Sequence, residues 1–213
     1  MRPMKYLFSP LTANPTAFNA SGWTSTGAAL PVTTPTTVDL LGHKVTLVAP
    51  VQATLAGITF TIVGTDMDGN PKTETGLVGP ASGATVTSVG YFETITSIQP
   101  SATMGALVVS VGTDQVGVSQ TLPLEWRSIA AATHDVDITG TISYSIQESF
   151  ENIYNQRPEL CDWDNSITAL TTKTATVVSP GTVGAAGARF VSITVTNGAT
   201  VGWRVIQPTQ LSG

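Results

Sequence analysis

A single cysteine, Cys161, stands in a chain of 213 residues. One thiol excludes an intramolecular disulfide framework and a cysteine-based zinc site, and it fits folding in a reducing cytoplasm. Charge is also scarce. Asp, Glu, Lys and Arg make up 11% of the chain, where about 25% is usual. The nine Lys and Arg are scattered, and the formal net charge is -5. Binding to nucleic acid draws on clustered cations, so no nucleic-acid partner is expected. Long apolar runs are missing too: no segment approaches the ~18 residues of a membrane span. The opening Met1 to Pro10 begins like a signal peptide, but Pro10 cuts it short of the roughly 7–15 residues of a signal core. The sequence therefore predicts neither signal-led secretion nor a membrane partner.

What is present is apolar and neutral. Hydrophobic residues reach 41%, which with so little charge argues against intrinsic disorder and against helices built on Glu/Lys/Leu patterns. A chain of this length hides roughly 70% of its unfolded surface without a staple. Net charge is what keeps a free domain soluble. A surface this poor in charge either exposes neutral polar groups to water or is partly covered by neighbours.

Residues 1–40 read as an extended N-terminal arm, interrupted by Pro10, Pro15, Pro31 and Pro35 and without a sustained period. Its apolar anchors are Tyr6, Leu7, Phe8, Phe18 and Trp23, which either pack the arm along its own domain or dock it on a neighbouring subunit. From His43 the period is two. Val45 and Leu47 alternate, as do Ile58, Phe60 and Ile62, which reach a return strand at Thr73 and Thr75 through the Asp68-Gly69 turn. Tyr91 to Ile98 reads as one strand and Ala106 to Val111 as another. Val136 and Ile138 alternate, then Ile142, Tyr144 and Ile146. Val191, Ile193 and Val195 lead through Asn197-Gly198 to Val201, Trp203 and Val205, the pattern of a hairpin. The charged stretch Glu148 to Asn165 breaks the alternation and reads as a long loop with one helical turn, a length usually reserved for function or partner contact. About ten short strands with Gly/Pro turns predict an all-β protein, an antiparallel β-sandwich. Leu122-Pro123-Leu124 offers a stiff boundary between a β-sandwich unit over 41–122 and a second β-rich unit over 123–213; one large sandwich is the alternative.

The chemistry-bearing residues form no catalytic pattern. Asp66, Asp68 and Asn70 match the first ligands of a calcium loop, but Pro71 replaces the turn glycine and Leu77 the bidentate glutamate. His43 and His134 lie far apart, with no G-x-S-x-G elbow and no H-E-x-x-H. Glu125, Glu148, Glu151, Asp162 and Asp164 read as solvated loop carboxylates, although a glycosidase pair could be drawn from them. Acidic neighbours of Cys161 disfavour a thiolate. No catalytic residue, metal or cofactor is expected. Among the tryptophans, Trp203 is in phase with core valines, while Trp126 and Trp163 stand where an exposed ring could stack on a sugar.

The strings GITFTIVGTDMDGNPKTETGLVGP (Gly57 to Pro80), YFETITSI, SQTLPLEWRS (Ser119 to Ser128), DITGTISYSIQESFENI (Asp137 to Ile153) and the opening MRPMKYLFSP resemble β-rich structural proteins of tailed bacteriophages. They cover about a third of the chain. The resemblance implies a non-enzymatic virion subunit made in the host cytoplasm, whose partners are copies of itself and other virion proteins. One place is the neck or tail, as an adaptor between portal, tail and fibres. The other is the capsid surface, as a decoration or cement protein on the major capsid protein. A carbohydrate-binding module or adhesin is the reading from another class. Interfaces draw most of their energy from a few aromatic and Arg anchors. The expected partner-facing residues are Tyr6, Leu7, Phe8, Phe18, Trp23, Trp126, Arg127, Tyr154 and Trp163.

Overall fold

The structure is a computed structural model that describes residues 4–24, 27–30, 32, 34–51, 54–127, 130–165, 167, 170–196 and 198–207, without the side chains of 20–22. It is all-β, with 52% strand and three antiparallel sheets. The chain forms two compact units, one discontinuous (Met1–Thr12 with Gly117–Gly213) and one inserted within it (Ala13–Val116). This division differs from the boundary expected at 122–124. Leu122–Pro123 is itself a short strand, with Leu122 buried and paired to Ala188.

The inserted unit holds β2 (Asn14–Trp23), β3 (Gly42–Val48), β4 (Thr59–Thr65), β5 (Pro71–Val78), β6 (Thr85–Phe92), β7 (Thr94–Pro100) and most of β8 (Val109–Val118). One sheet runs β5-β4-β7, while β8 is flanked by β2 and β3, and β3 by β6. The expected β4–β5 hairpin is present, closing at Thr65 opposite Pro71 with Gly69 at φ 78° and with a register shift between Phe60 and Ile62. Tyr91 to Ile98 is not one strand. Phe92 pairs with His43 and Thr94 with Thr65, so the chain changes sheet at Glu93, whose N–H donates to the Thr65 carbonyl at 3.0 Å. The core gathers Phe18, Trp23, Leu47, Phe60, Ile62 and Phe92 among others, with Trp23 edge-on to Phe60 at 6.1 Å.

The discontinuous unit holds β1 (Met4–Phe8), β9 (Leu122–Pro123), β10 (Thr133–Thr139), β11 (Ile142–Ser149), β12 (Val177–Pro180), β13 (Gly187–Val195) and β14 (Thr200–Ile206). One sheet runs β1-β14-β10-β12; in the other, β13 pairs with β11, β9 and the last two residues of β8. Phe8 of one sheet stacks on Phe190 of the other at 5.3 Å; within the sheets, Phe190 meets Tyr144 at 5.7 Å and Tyr6 meets Trp203 at 5.7 Å.

Two expectations are corrected. The strands around Asn197-Gly198 do not form a hairpin, because β13 and β14 belong to different sheets; Asn197 lies outside the described residues. The residues expected as an arm without regular structure contain β1 and β2, one in each unit. Pro31 of that stretch lies outside the described residues.

Candidate functional site

Both histidines sit on carboxylates, and in each case the strand parity explains why. His134 shares the inward face of β10 with Val136. Glu148 shares that of β11 with Ile142, Tyr144 and Ile146. The two side chains meet with neither exposed to solvent: His134 Nε2 lies 3.1 Å from Glu148 Oε1. The other oxygen, Oε2, accepts the Thr182 backbone N–H at 2.9 Å. Trp203 stacks on the imidazole at 6.0 Å and donates its indole N–H to Nδ1 at 3.4 Å. An indole N–H only donates, so Nδ1 is the acceptor and Nε2 carries the proton that Glu148 receives. Glu148 is thus no solvated loop residue, as expected from the charged stretch around it. It is a buried acceptor clamping β10, β11 and the segment after β12.

In the inserted unit, His43 follows the same parity, inward with Val45 and Leu47. Its Nε2 lies 2.9 Å from Asp39 Oδ2, and Asp39 Oδ1 accepts the Leu41 N–H at 3.3 Å. Leu40 between them takes φ 62°, the left-handed turn that aims both neighbours inward. His43 Nδ1 is buried without a hydrogen-bond partner, 3.9 Å from Asp114 Oδ1. Burial pushes the Asp114 carboxyl up from its ordinary range, against the backbone N–H of Lys44 that it accepts at 3.1 Å.

The Asp66 carboxylate is consumed by its own turn. Oδ1 accepts the N–H groups of Asp68 at 3.0 Å and Asn70 at 2.8 Å, and the Asn70 amide reaches both oxygens. Among the described residues, no three His, Cys, Asp or Glu side chains form a metal-holding group, and no helix is long and apolar enough to cross a membrane.

The charged stretch is a compact loop with adjoining ends, of the Ω type. Glu148 and Asp164 exchange backbone hydrogen bonds at 3.1 and 2.9 Å. Inside, Glu151 Oε2 accepts from the Gln156 amide at 2.9 Å and from the Asp162 N–H at 2.7 Å. The expected helical turn is a 3-10 turn at Pro158–Leu160. Its Pro158 carbonyl accepts the Trp163 indole N–H at 2.8 Å. Ile153 and Cys161 are buried, while Phe150, Tyr154 and Leu160 are 49%, 65% and 68% exposed. Phe150 and Leu160 were not among the expected interface residues, although both lie in the loop the sequence singled out.

The nine expected interface residues divide sharply. Phe8, Phe18 and Trp23 are core of their own units, and Tyr6 is half-buried, its phenol pushed up by burial. Leu7, Trp126, Arg127 and Tyr154 are exposed. The Arg127 guanidinium lies 5.2 Å from the Trp126 ring. Trp163 is half-buried, and Arg189 covers its ring at 4.4 Å while donating to Gln147 at 2.8 Å. All of the exposed members belong to the discontinuous unit. No family model, curated protein or solved structure matches this chain.

Proposed function

We propose that this protein is a non-enzymatic structural subunit of a tailed-phage virion, a neck or tail adaptor that binds copies of itself and other virion proteins such as portal or fibre. The observation that carries the reading is the closed loop Ser149 to Trp163. Its interior is fixed by its own hydrogen bonds, and its outside offers Phe150, Tyr154 and Leu160 to a partner. A rigid loop with large exposed apolar groups marks an interaction site, and ordering costs little when the loop is already ordered. The scarcity of charge supports the same conclusion, as does the resemblance of the strand and turn strings to virion proteins. A sugar platform has less support, because Arg189 occupies one face of Trp163 and the indole N–H is taken by Pro158.

The test is to replace Tyr154 and Leu160 by Ser and follow particle assembly. Exposed positions leave folding stability nearly unchanged, so the variant is expected to melt close to wild type and to be missing from purified particles. Localisation by electron microscopy then separates neck or tail from capsid surface. Absence of the wild-type protein from virions would overturn the proposal.

A further inference from the structure

We propose that β1 is an exchangeable strand: in the assembled protein, the groove beside β14 of one copy takes Met4–Phe8 of a neighbouring copy. This rests on the reading of the chain as an assembly subunit. Among the described residues, β1 ends its sheet and pairs only with β14, through Met4↔Val205 to Phe8↔Val201. Its hold on the unit comes from that ladder and from two inward rings, Tyr6 against Trp203 and Phe8 against Phe190. Between β1 and the next segment of its own unit lies the whole of Ala13–Val116. Residues 9–13 carry no regular structure, and Pro10 stiffens them. The chain is gripped again directly afterwards, where Gly112 leaves room for the Asn14 carbonyl that any Cβ would strike.

The strand is thus a separate apolar plug on a short hinge, anchored at both ends. The groove, walled by β14, recognises the backbone of β1 and the rings of Tyr6 and Phe8, which are the same in every copy. Exchange of an identical element keeps the β1–β14 contacts and changes the hinge, where Pro10 is buried and has to be re-seated; such exchange is a low-cost route to oligomers. Within an assembly, the high effective concentration of neighbours favours the exchanged form further.

The experiment uses the full chain with Cys161→Ser and a cysteine pair at Leu7→Cys and Gly202→Cys, which face each other in the β1–β14 register with the Leu7 side chain 3.7 Å from a Cβ at Gly202. A second pair, Lys5→Cys with Arg204→Cys, samples the same ladder if the first fails to fold. Oligomers are isolated, oxidised and run on a denaturing gel without reductant. Most chains are expected as covalent dimers and higher multimers that collapse to monomer on reduction. Oligomers that release only internally cross-linked monomers would overturn strand exchange while leaving the assembly reading in place. A chain that stays monomeric at high concentration would also overturn it. Absence from virions with a covalent ladder present would instead overturn the virion reading alone.

Discussion

The indole N–H of Trp203 points at Nδ1 of His134, 3.4 Å away, and so determines which imidazole nitrogen faces the buried carboxylate of Glu148. Removing the carboxylate strands the Nε2–H of His134 and the backbone N–H of Thr182, at a cost of about 1–3 kcal/mol for each buried donor left unpaired. Glu148→Ala is expected to lose that much in urea unfolding. Trp203→Phe keeps the stacked ring but deletes the donor, and should lose only about 1 kcal/mol beyond its packing change. Equal losses for the two variants would mean that the carboxylate contributes no more to the cluster than the indole N–H does.

Gly181 makes room for this pair. A Cβ there would collide with Glu148 Oε1 and sit 2.8 Å from His134 Nε2. Gly181→Ala therefore forces the clamp apart, with an expected loss of about 1–3 kcal/mol, typical of overpacking. Hydrogen exchange should show the loss first at the Thr182 amide, which Glu148 accepts.

Glu93, at the point where the chain changes sheet, has its carboxyl raised above the ordinary value of 4.5 by burial and then by Asp66 and Asp68. A carboxyl raised on folding binds its proton more tightly in the native state. Its stabilisation is complete below 4.5 and is lost as pH rises through the raised value. At neutral pH the ionised group is a liability, though a modest one because water still reaches it. Glu93→Gln should melt above wild type at neutral pH, and the gap should close on acidification. A constant gap across that window would sink the assignment.

The Tyr144 phenol donates to the Ala175 carbonyl at 2.9 Å, and burial pushes it up to about 12. Ultraviolet titration should find one of the four tyrosines ionising last, and Tyr144→Phe should delete that step. Folding stability from this group is present below the ordinary value of 10.0 and lost as pH rises towards 12.

Much of the sheet structure was legible because alternation and turn chemistry agree. Phe60 and Ile62 face inward, and Asp68-Gly69 closes the hairpin where it should. Where strand-like composition ran through a change of sheet, it misled. Tyr91 to Ile98 is rich in β-branched and aromatic residues, yet Glu93 divides it and its buried Phe92, Ile95 and Ile98 fall three apart, and β13 and β14 look like hairpin arms although their partners lie elsewhere. Strand β2 was hidden for the opposite reason. Its pairing slips between Asn14, Asn19 and Trp23, and bulges erase the period that reveals a strand. The histidine clusters were half legible. His43, His134 and Glu148 each continue the inward parity of their strands, but no spacing in the chain says that β10 and β11 face each other at that height.

The pairing of β1 with β14 also sets a schedule. During synthesis, Tyr6 and Phe8 emerge early, yet their partner strand is made nearly two hundred residues later. At about 5–20 residues per second, those rings wait on the order of 10–40 s, while the inserted unit can already fold. For that interval the nascent chain carries an apolar strand with no partner of its own, and on a crowded polysome the first complementary groove it meets can belong to a chain finished moments earlier.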